Sequence, residues 1–375
     1  VGRGARAASV ILVLALLLAL AAGGVVWSTA HRPGPFDRPV TLVIPKGATP
    51  GDIARQLAEA GVVGSALVTE AMLRWDGGER PPKAGEYAFT PGLRPADVIA
   101  MLRDGQTVVR RLTVPEGLTS AQVIARLAEA PGLEGDAGPV PAEGTLLPAT
   151  YPYTWGDSRA QMVRTMADAM RRTVRSLWAT RAAGLPFETP EQAVILASIV
   201  EKETGIAGER PRIAGVFVNR LRQGMRLQAD PTVAYGVGAA EGSLAKGIGR
   251  ALTRSDLRLA HPYNTYLVAG LPPGPIANPG RAAIAAVLQP AATDELFFVA
   301  DGSGGHAFAR TYDEHRANVA RWRAVERSRG GPDGGPDGGP EGGPEGGEEP
   351  GAARGPAPAT QPASGPATDD ARATD

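Results

Sequence analysis

The stretch VTLVIPKGATPGDIARQLAEAG, Val40 to Gly61, is the first of three related units in the chain. Its first residues are β-branched or apolar and stop at a Pro45/Gly47 turn. Thr49 then stands where a helix N-cap belongs and Pro50 where the first helical residue belongs, so the unit reads as strand, turn and capped amphipathic helix. The pattern returns as RRLTVPEGLTSAQVIARLAEAPG from Arg110, with Pro115/Gly117 in the turn, Thr119 as N-cap and the same LAEA at the helix end. Between them, GEYAFTPGLRPADVIAMLRDG from Gly85 sets Gly92, Pro95, Asp97 and Leu102 against Gly47, Pro50, Asp52 and Leu57. Three copies are too few for a solenoid. The repeats predict a compact α+β module, a kind of unit that more often binds than catalyses.

Upstream of the repeats, Arg3 and Arg6 precede SVILVLALLLALAAGGVVWSTA, Ser9 to Ala30, which carries no charge before His31. That run is long enough to span a bilayer, and the basic residues ahead of it favour a cytoplasmic N-terminus. A cleaved signal peptide is the competing reading, because Ala19 to Ala21 resembles a small-residue cleavage site. Continuation of the apolar run through Val26 to Trp27 favours an uncleaved anchor. Both readings export the body.

Composition narrows the chemistry. The chain has no cysteine, which removes disulfides, thiolate nucleophiles and cysteine-ligated zinc. Its four histidines, His31, His261, His306 and His315, show no metal-binding spacing, so no metal or other cofactor is expected. The net charge of zero hides an asymmetry: from Gly330 onward Asp333, Asp337, Glu341, Glu345, Glu348, Glu349, Asp369, Asp370 and Asp375 face only Arg354 and Arg372. No basic stripe with interleaved aromatics appears, so no nucleic-acid partner is expected. The tail, rich in GGPD and GGPE, cannot build a core and is expected to be disordered.

Downstream of the repeats, a Gly/Pro-rich loop leads to a long amphipathic helix predicted from about Ser158 to Arg181. Thr189 then caps, and Pro190 opens, a helix through QAVILASIVEKETG, Gln192 to Gly205. This helix is apolar nearly all round, with Ser198 and Lys202 suggesting its wet edge, yet it holds Glu201 and Glu203. Glu201 projects near Val194 and Ala197, Glu203 near Leu196 and Ile199. A buried carboxyl without a partner tends to hold its proton, the state a general acid needs. The helical wheel leaves both glutamates open, and a salt bridge to Arg210 or Arg212 is the plain structural alternative. Another helix is predicted to end near Gly224, and irregular backbone from Met225 onward, with Tyr263, Asn264, Tyr266 and GLPPGPIANPG in long structured loops. LFFVA then reads as a strand with a return strand after a Gly-rich turn, followed by a polar helix near Trp322.

Four blocks in order, ILASIVEKETG, VFVNRLRQGMRLQADPTVAYGVG, HPYNTYLVAGLPPGPIANPG and FFVADGSGGHAF, resemble the signatures of the endolytic murein transglycosylases, the MltG or YceG-like family. The resemblance runs from the membrane segment to about Arg323. It implies an α+β protein with a single N-terminal transmembrane helix (1–31, with its cytoplasmic N-terminus), a small LysM-like subdomain (38–107) and a catalytic domain (108–326) facing the periplasm; the tail (327–375), expected to be disordered from its composition, lies outside the resemblance. It also implies a bacterial inner-membrane lyase that cuts nascent peptidoglycan strands internally, terminating their elongation, with glycan strands as substrate and cell-wall synthases as candidate partners.

By similarity, the second glutamate of the EKET block, Glu203, is the catalytic one. Glu201, Asn219, Gln228, Asp230, Tyr235, Asn264 and Tyr266 are the candidate substrate-binding residues. Relatives commonly read PDTY where this chain reads PATY, Pro148 to Tyr151, so no catalytic role is expected at Ala149. The resemblance implies that a single acid serves: it protonates the glycosidic oxygen, then takes the proton from the C6 hydroxyl of the muramic acid as that oxygen closes on C1, leaving a 1,6-anhydro sugar. Asp230, which before Pro231 also reads as a turn former, keeps a water-using glycosidase open. A non-catalytic wall-binding scaffold is the third alternative.

Overall fold

A computed structural model describes residues 3–75 and 80–328; apart from its first two residues, the expected disordered tail lies outside the described residues. The N-terminal helix α1 (Arg3–His31) contains an apolar stretch of 24 residues, Ala8–His31, about 36 Å long and thus long enough to cross a bilayer. Its C-terminal end returns to the body at Ala30, which is buried.

Next come β1 (Val40–Ile44), α2 (Pro50–Glu59), α3 (Ala66–Trp75), β2 (Gly85–Phe89) and α4 (Pro95–Asp104). Strands β1 and β2 pair antiparallel with Leu42 opposite Tyr87. The helices cover the sheet with Ile53, Leu57, Leu73, Val98 and Leu102, and Tyr87 sits at the centre, its hydroxyl donating to the Lys83 carbonyl at 2.7 Å. Capping starts these helices where the sequence asks. Thr49 Oγ1 accepts from the Asp52 amide at 3.2 Å, Asp52 answers by accepting from the Thr49 amide, and Asp97 accepts from the Arg94 amide at 3.1 Å. The repeated glycines also have a shared cause: Gly47, Gly92 and Gly117 all have positive φ (79°, 91° and 77°), the left-handed turn that a side chain resists.

The third copy supplies β3 (Arg110–Thr113) and α5 (Ser120–Glu129), but β3 pairs with β4 (Thr150–Tyr153) instead of extending the first sheet. Leu112, Val123, Leu127, Leu146, Tyr151 and Tyr153 therefore form a second core. A bidentate bond from Arg110 to the buried Glu86, at 2.6 and 2.7 Å, joins β3 to β2. The long helix α6 (Arg159–Trp178) begins after its cap Ser158; Met162 and Met166 enter the second core and Met170 the third.

That third core surrounds α7 (Pro190–Glu203), against which α8 (Arg210–Arg222) and α10 (Arg281–Leu288) pack. Leu196, Ile199, Ile213, Phe217, Ile284 and Val287 are fully or almost fully buried there, each large apolar side chain contributing about 1.5–3 kcal/mol. The hairpin of β5 (Phe297–Ala300) and β6 (His306–Ala309) is backed by α11 (Tyr312–Ser328), and Phe298 meets Phe217 edge-on with ring centroids 5.7 Å apart.

Three helices differ from expectation. The α3 helix went unread, and the segment expected to be irregular from Met225 onward holds both α9 (Asp230–Ala240) and α10. Asp230 is thus the first residue of a helix, with Pro231 in its favoured first-turn position, and not a turn former. Gly236 and Gly238 lower the intrinsic helicity of α9, but packing demands Gly236: a Cβ there would lie 2.8 Å from His261 Nδ1. Ser198 is not on a wet edge either. It is fully buried, donating to the Ile195 carbonyl at 2.7 Å and accepting the Ile276 amide at 3.0 Å, which pins the Pro-rich loop to α7.

Candidate active site

The C-terminal turn of α7 separates the two glutamates. Glu201 is enclosed: its Oε1 accepts from Arg210 Nη2 at 3.1 Å, and its Oε2 accepts from the Gly280 amide at 2.8 Å, at the start of α10. Arg210 also reaches Glu116 at 3.4 Å, and Lys202 lies exposed with its ammonium 3.4 Å from the Gly117 carbonyl. These bonds tie α7, α8, α10 and the turn before α5 into one frame. Arg212, the other arginine considered as a partner, is bound instead to Glu295.

Glu203 has no hydrogen bond or ion pair among the described residues. Its residue stays partly open to solvent, yet the protein packed round the carboxyl strips it of water. Burial, reinforced by the negative charge of Asp230 and opposed by Arg220, pushes its pKa up to about 8. At neutral pH this carboxyl carries its proton.

Asp230, at the start of α9, accepts from the Tyr266 hydroxyl at 2.6 Å. Burial raises the Asp230 carboxyl and the Tyr266 bond opposes that rise; burial and the Asp230 charge both drive Tyr266 up, so it remains a neutral donor. Arg220 completes the group from α8. It is buried, donating from Nε to the Leu296 carbonyl at 2.6 Å and from Nη1 to the Leu227 carbonyl at 2.7 Å. Burial pulls it down to about 10, which leaves it cationic at neutral pH.

The backbone round this group is held by side chains. Thr265 Oγ1 accepts the Ala229 amide at 3.0 Å and lies 2.8 Å from Thr232 Oγ1, while the Thr265 carbonyl accepts the Gln228 amide at 3.1 Å. Asn264, also buried, donates to the Leu257 and Leu259 carbonyls at 3.0 and 2.9 Å and accepts the Tyr266 amide at 3.0 Å. Asn264 thus shapes the loop that aims Tyr266 at Asp230. Gln228 is the one non-glycine residue among those described with positive φ, 50°, two residues before Asp230. Such strain persists only where the surroundings impose it, and it gathers at functional sites.

The structure therefore brings Glu203, Asp230 and Tyr266 together, with Gln228 and Asn264 on the adjoining backbone. Tyr235, on α9, stacks obliquely on Tyr263 with centroids 4.8 Å apart, and no hydrogen bond links it to the Glu203 group among the described residues. Asn219 is occupied elsewhere, donating to the Thr293 and Glu295 carbonyls at 2.7 and 3.1 Å ahead of β5. Sequence reasoning missed Arg220, whose burial is visible only in three dimensions, and Asn278. The Asn278 amide, fully buried, joins Leu118, Ser120 and Leu146 to the Pro-rich loop.

The model of the YceG-like family matches residues 42–321. A Bacillus subtilis (strain 168) protein named endolytic murein transglycosylase is 30% identical over 309 residues, covering 74% of this chain and 82% of that protein. A Streptococcus pneumoniae serotype 2 protein of the same name is 29% identical over 326 residues; the match takes in 75% of this chain but only 58% of that longer protein. A 2.6 Å crystal structure of a yceG-like protein from Listeria monocytogenes is 29% identical, covering 75% of this chain and 99% of that one with a TM-score of 0.47.

Proposed function

The chain belongs to the YceG-like family, and from that premise we propose how it works: it is an endolytic peptidoglycan lytic transglycosylase in which Glu203 is the single acid and base. The observation that carries the assignment is the contrast within α7, where both oxygens of Glu201 are engaged by Arg210 and Gly280 while Glu203 has no partner among the described residues and is pushed up to about 8.

Protonated Glu203 donates its proton to the oxygen linking N-acetylmuramic acid to the next N-acetylglucosamine as that bond breaks. The muramic acid C6 hydroxyl closes on C1, and the Glu203 carboxylate takes the hydroxyl proton. The acid is thereby regenerated, a 1,6-anhydro end is left, and no water is consumed. The nucleophile belongs to the substrate, so its proximity lowers the barrier without a second protein group. Burial, reinforced by the Asp230 carboxylate that Tyr266 keeps in place, keeps Glu203 protonated, and Asp230 faces the positive charge that develops on the sugar ring. Gln228 and Tyr266 line the glycan path, with Tyr235 and Asn264 framing it. Glu201 and Asn219, engaged within the protein, support the site.

The same reading places α1 in the inner membrane with its N-terminus cytoplasmic, because Arg3 and Arg6 precede the apolar stretch, and the body in the periplasm. Residues 38–107, whose β1–α2–α3–β2 order brackets two helices between paired strands, form the LysM-like subdomain, and residues 108–326 the catalytic domain. Synthases that make the nascent strand are the partner class.

Asp230 lies close enough for its charge to raise Glu203, and this favours one second reading, a glycosidase in which Asp230 activates water. Mass spectrometry of the products from uncrosslinked glycan strands separates the two. Internal fragments with 1,6-anhydro-muramic ends, absent with Glu203→Gln, support the transglycosylase; reducing ends would establish the hydrolase.

A further inference from the structure

Glu203 is the last residue of α7, in the final turn where a helix has carbonyls without intrahelical partners. The next residue, Thr204, leaves the helix with extended backbone (φ −143°, ψ 136°) and is buried. Gly205, Ile206, Ala207 and Gly208 follow, all exposed, with a glycine at each end of the run. The orientation of the acid therefore depends on what fixes Thr204.

Thr204 is fixed through Glu209, just before α8. The Thr204 hydroxyl accepts the Ile206 amide at 2.9 Å and donates to Glu209 Oε2 at 3.2 Å. Glu209 is gripped in turn by His306 at the start of β6: the His306 amide donates to Oε1 at 2.9 Å, and ring Nδ1 lies 2.7 Å from Oε2. A carboxylate only accepts, so the imidazole carries a proton on Nδ1. Burial acts to raise Glu209, but the His306 and Thr204 bonds outweigh it and keep the carboxyl below its usual range. The ring is oriented by Phe298, edge-on at 5.4 Å, and the hairpin approaches so closely that a Cβ on Gly305 would meet Glu209 Oε1 at 2.9 Å. Side-chain exposures of 17% and 18% set this pair apart from a solvated surface ion pair.

We propose that Glu209 and His306 are positioning residues for the reaction: their clasp fixes Thr204, and through it the last turn of α7, so that Glu203 presents its proton to the glycosidic oxygen. The proposal rests on Glu203 being the acid. The clasp joins two glycine-containing segments, 204–208 and 301–305, and a displacement of the acid by about 1 Å costs up to roughly 100-fold in rate.

The test uses the full chain in detergent, comparing His306→Ala, Glu209→Ala, the double variant, His306→Asn and Glu203→Gln. Either single alanine is expected to lower kcat roughly 10- to 100-fold with little change in KM, at unchanged product chemistry. The double variant is expected to be no worse than the poorer single, because both break one clasp. His306→Asn, whose amide nitrogen takes the place of Nδ1, is expected to recover most of the loss. Full kcat in both alanine variants, losses that multiply in the double variant, or a lowered melting temperature with normal kcat in the folded fraction would each overturn the proposal. Should His306→Ala fail to fold, Glu209→Ala and His306→Asn carry the same comparison. Activity in Glu203→Gln would sink the acid assignment itself, whereas an inactive Glu203→Gln beside fully active clasp variants would sink only the clasp.

Discussion

Glu201 and Glu203 stand two residues apart on α7, but Arg210 and the Gly280 amide hold both oxygens of Glu201 while Glu203 has no hydrogen bond or ion pair among the described residues. One carboxylate is thus part of the frame and the other is free to trade a proton.

Removing the framework glutamate should act on stability. Glu201→Ala leaves Arg210 enclosed with only the longer contact to Glu116, and breaking a buried pair costs about 3–5 kcal/mol. Chemical denaturation should show this loss, while the folded fraction makes the same product. A midpoint equal to wild type would show that the pair contributes nothing.

Glu203 should make stability depend on pH in the sense opposite to a salt-bridged acid. Below its ordinary value of 4.5, folded and unfolded chains both carry the proton and nothing is lost. Between 4.5 and about 8 the unfolded chain ionises and the folded one does not, so this group lowers stability as pH rises, levelling above about 8. Glu203→Gln lacks this penalty. Its melting temperature should gain on wild type across that window, and a constant offset would contradict the raised carboxyl.

At Gln228 the strain and the side chain are separable. Glycine relieves the cost of a left-handed side chain, about 1–2 kcal/mol, and gives back part of it through a more flexible unfolded chain. Gln228→Gly should therefore melt near wild type yet raise KM, since the side-chain amide proposed to line the glycan path is gone. Unchanged KM would reduce Gln228 to a turn residue.

Much of this arrangement was legible in the residues themselves. The caps Thr49, Thr119 and Thr189, the start of the long helix near Ser158 and the turn glycines Gly47, Gly92 and Gly117 are local signals, and local signals survive folding. The α9 helix was not legible because its glycines are answers to a tertiary demand, the His261 ring against Gly236. Ser198 misled for a related reason: polarity suggested water, but its partners are two backbone groups, one of them 78 residues away. The choice between Glu201 and Glu203 needed long-range partners as well, since Gly280 lies 79 residues beyond Glu201.

The most direct test of the central claim is the pH dependence of kcat/KM, in wild type and in Asp230→Asn. A general acid must be protonated, so wild-type activity should fall as the pH rises through about 8. Asp230→Asn removes the negative charge that raises Glu203, so its alkaline limb should move to lower pH while anhydro ends persist. Wild-type activity that holds level as the pH climbs past 8, or a limb that does not move in Asp230→Asn, would contradict a protonated Glu203 tuned by its neighbour.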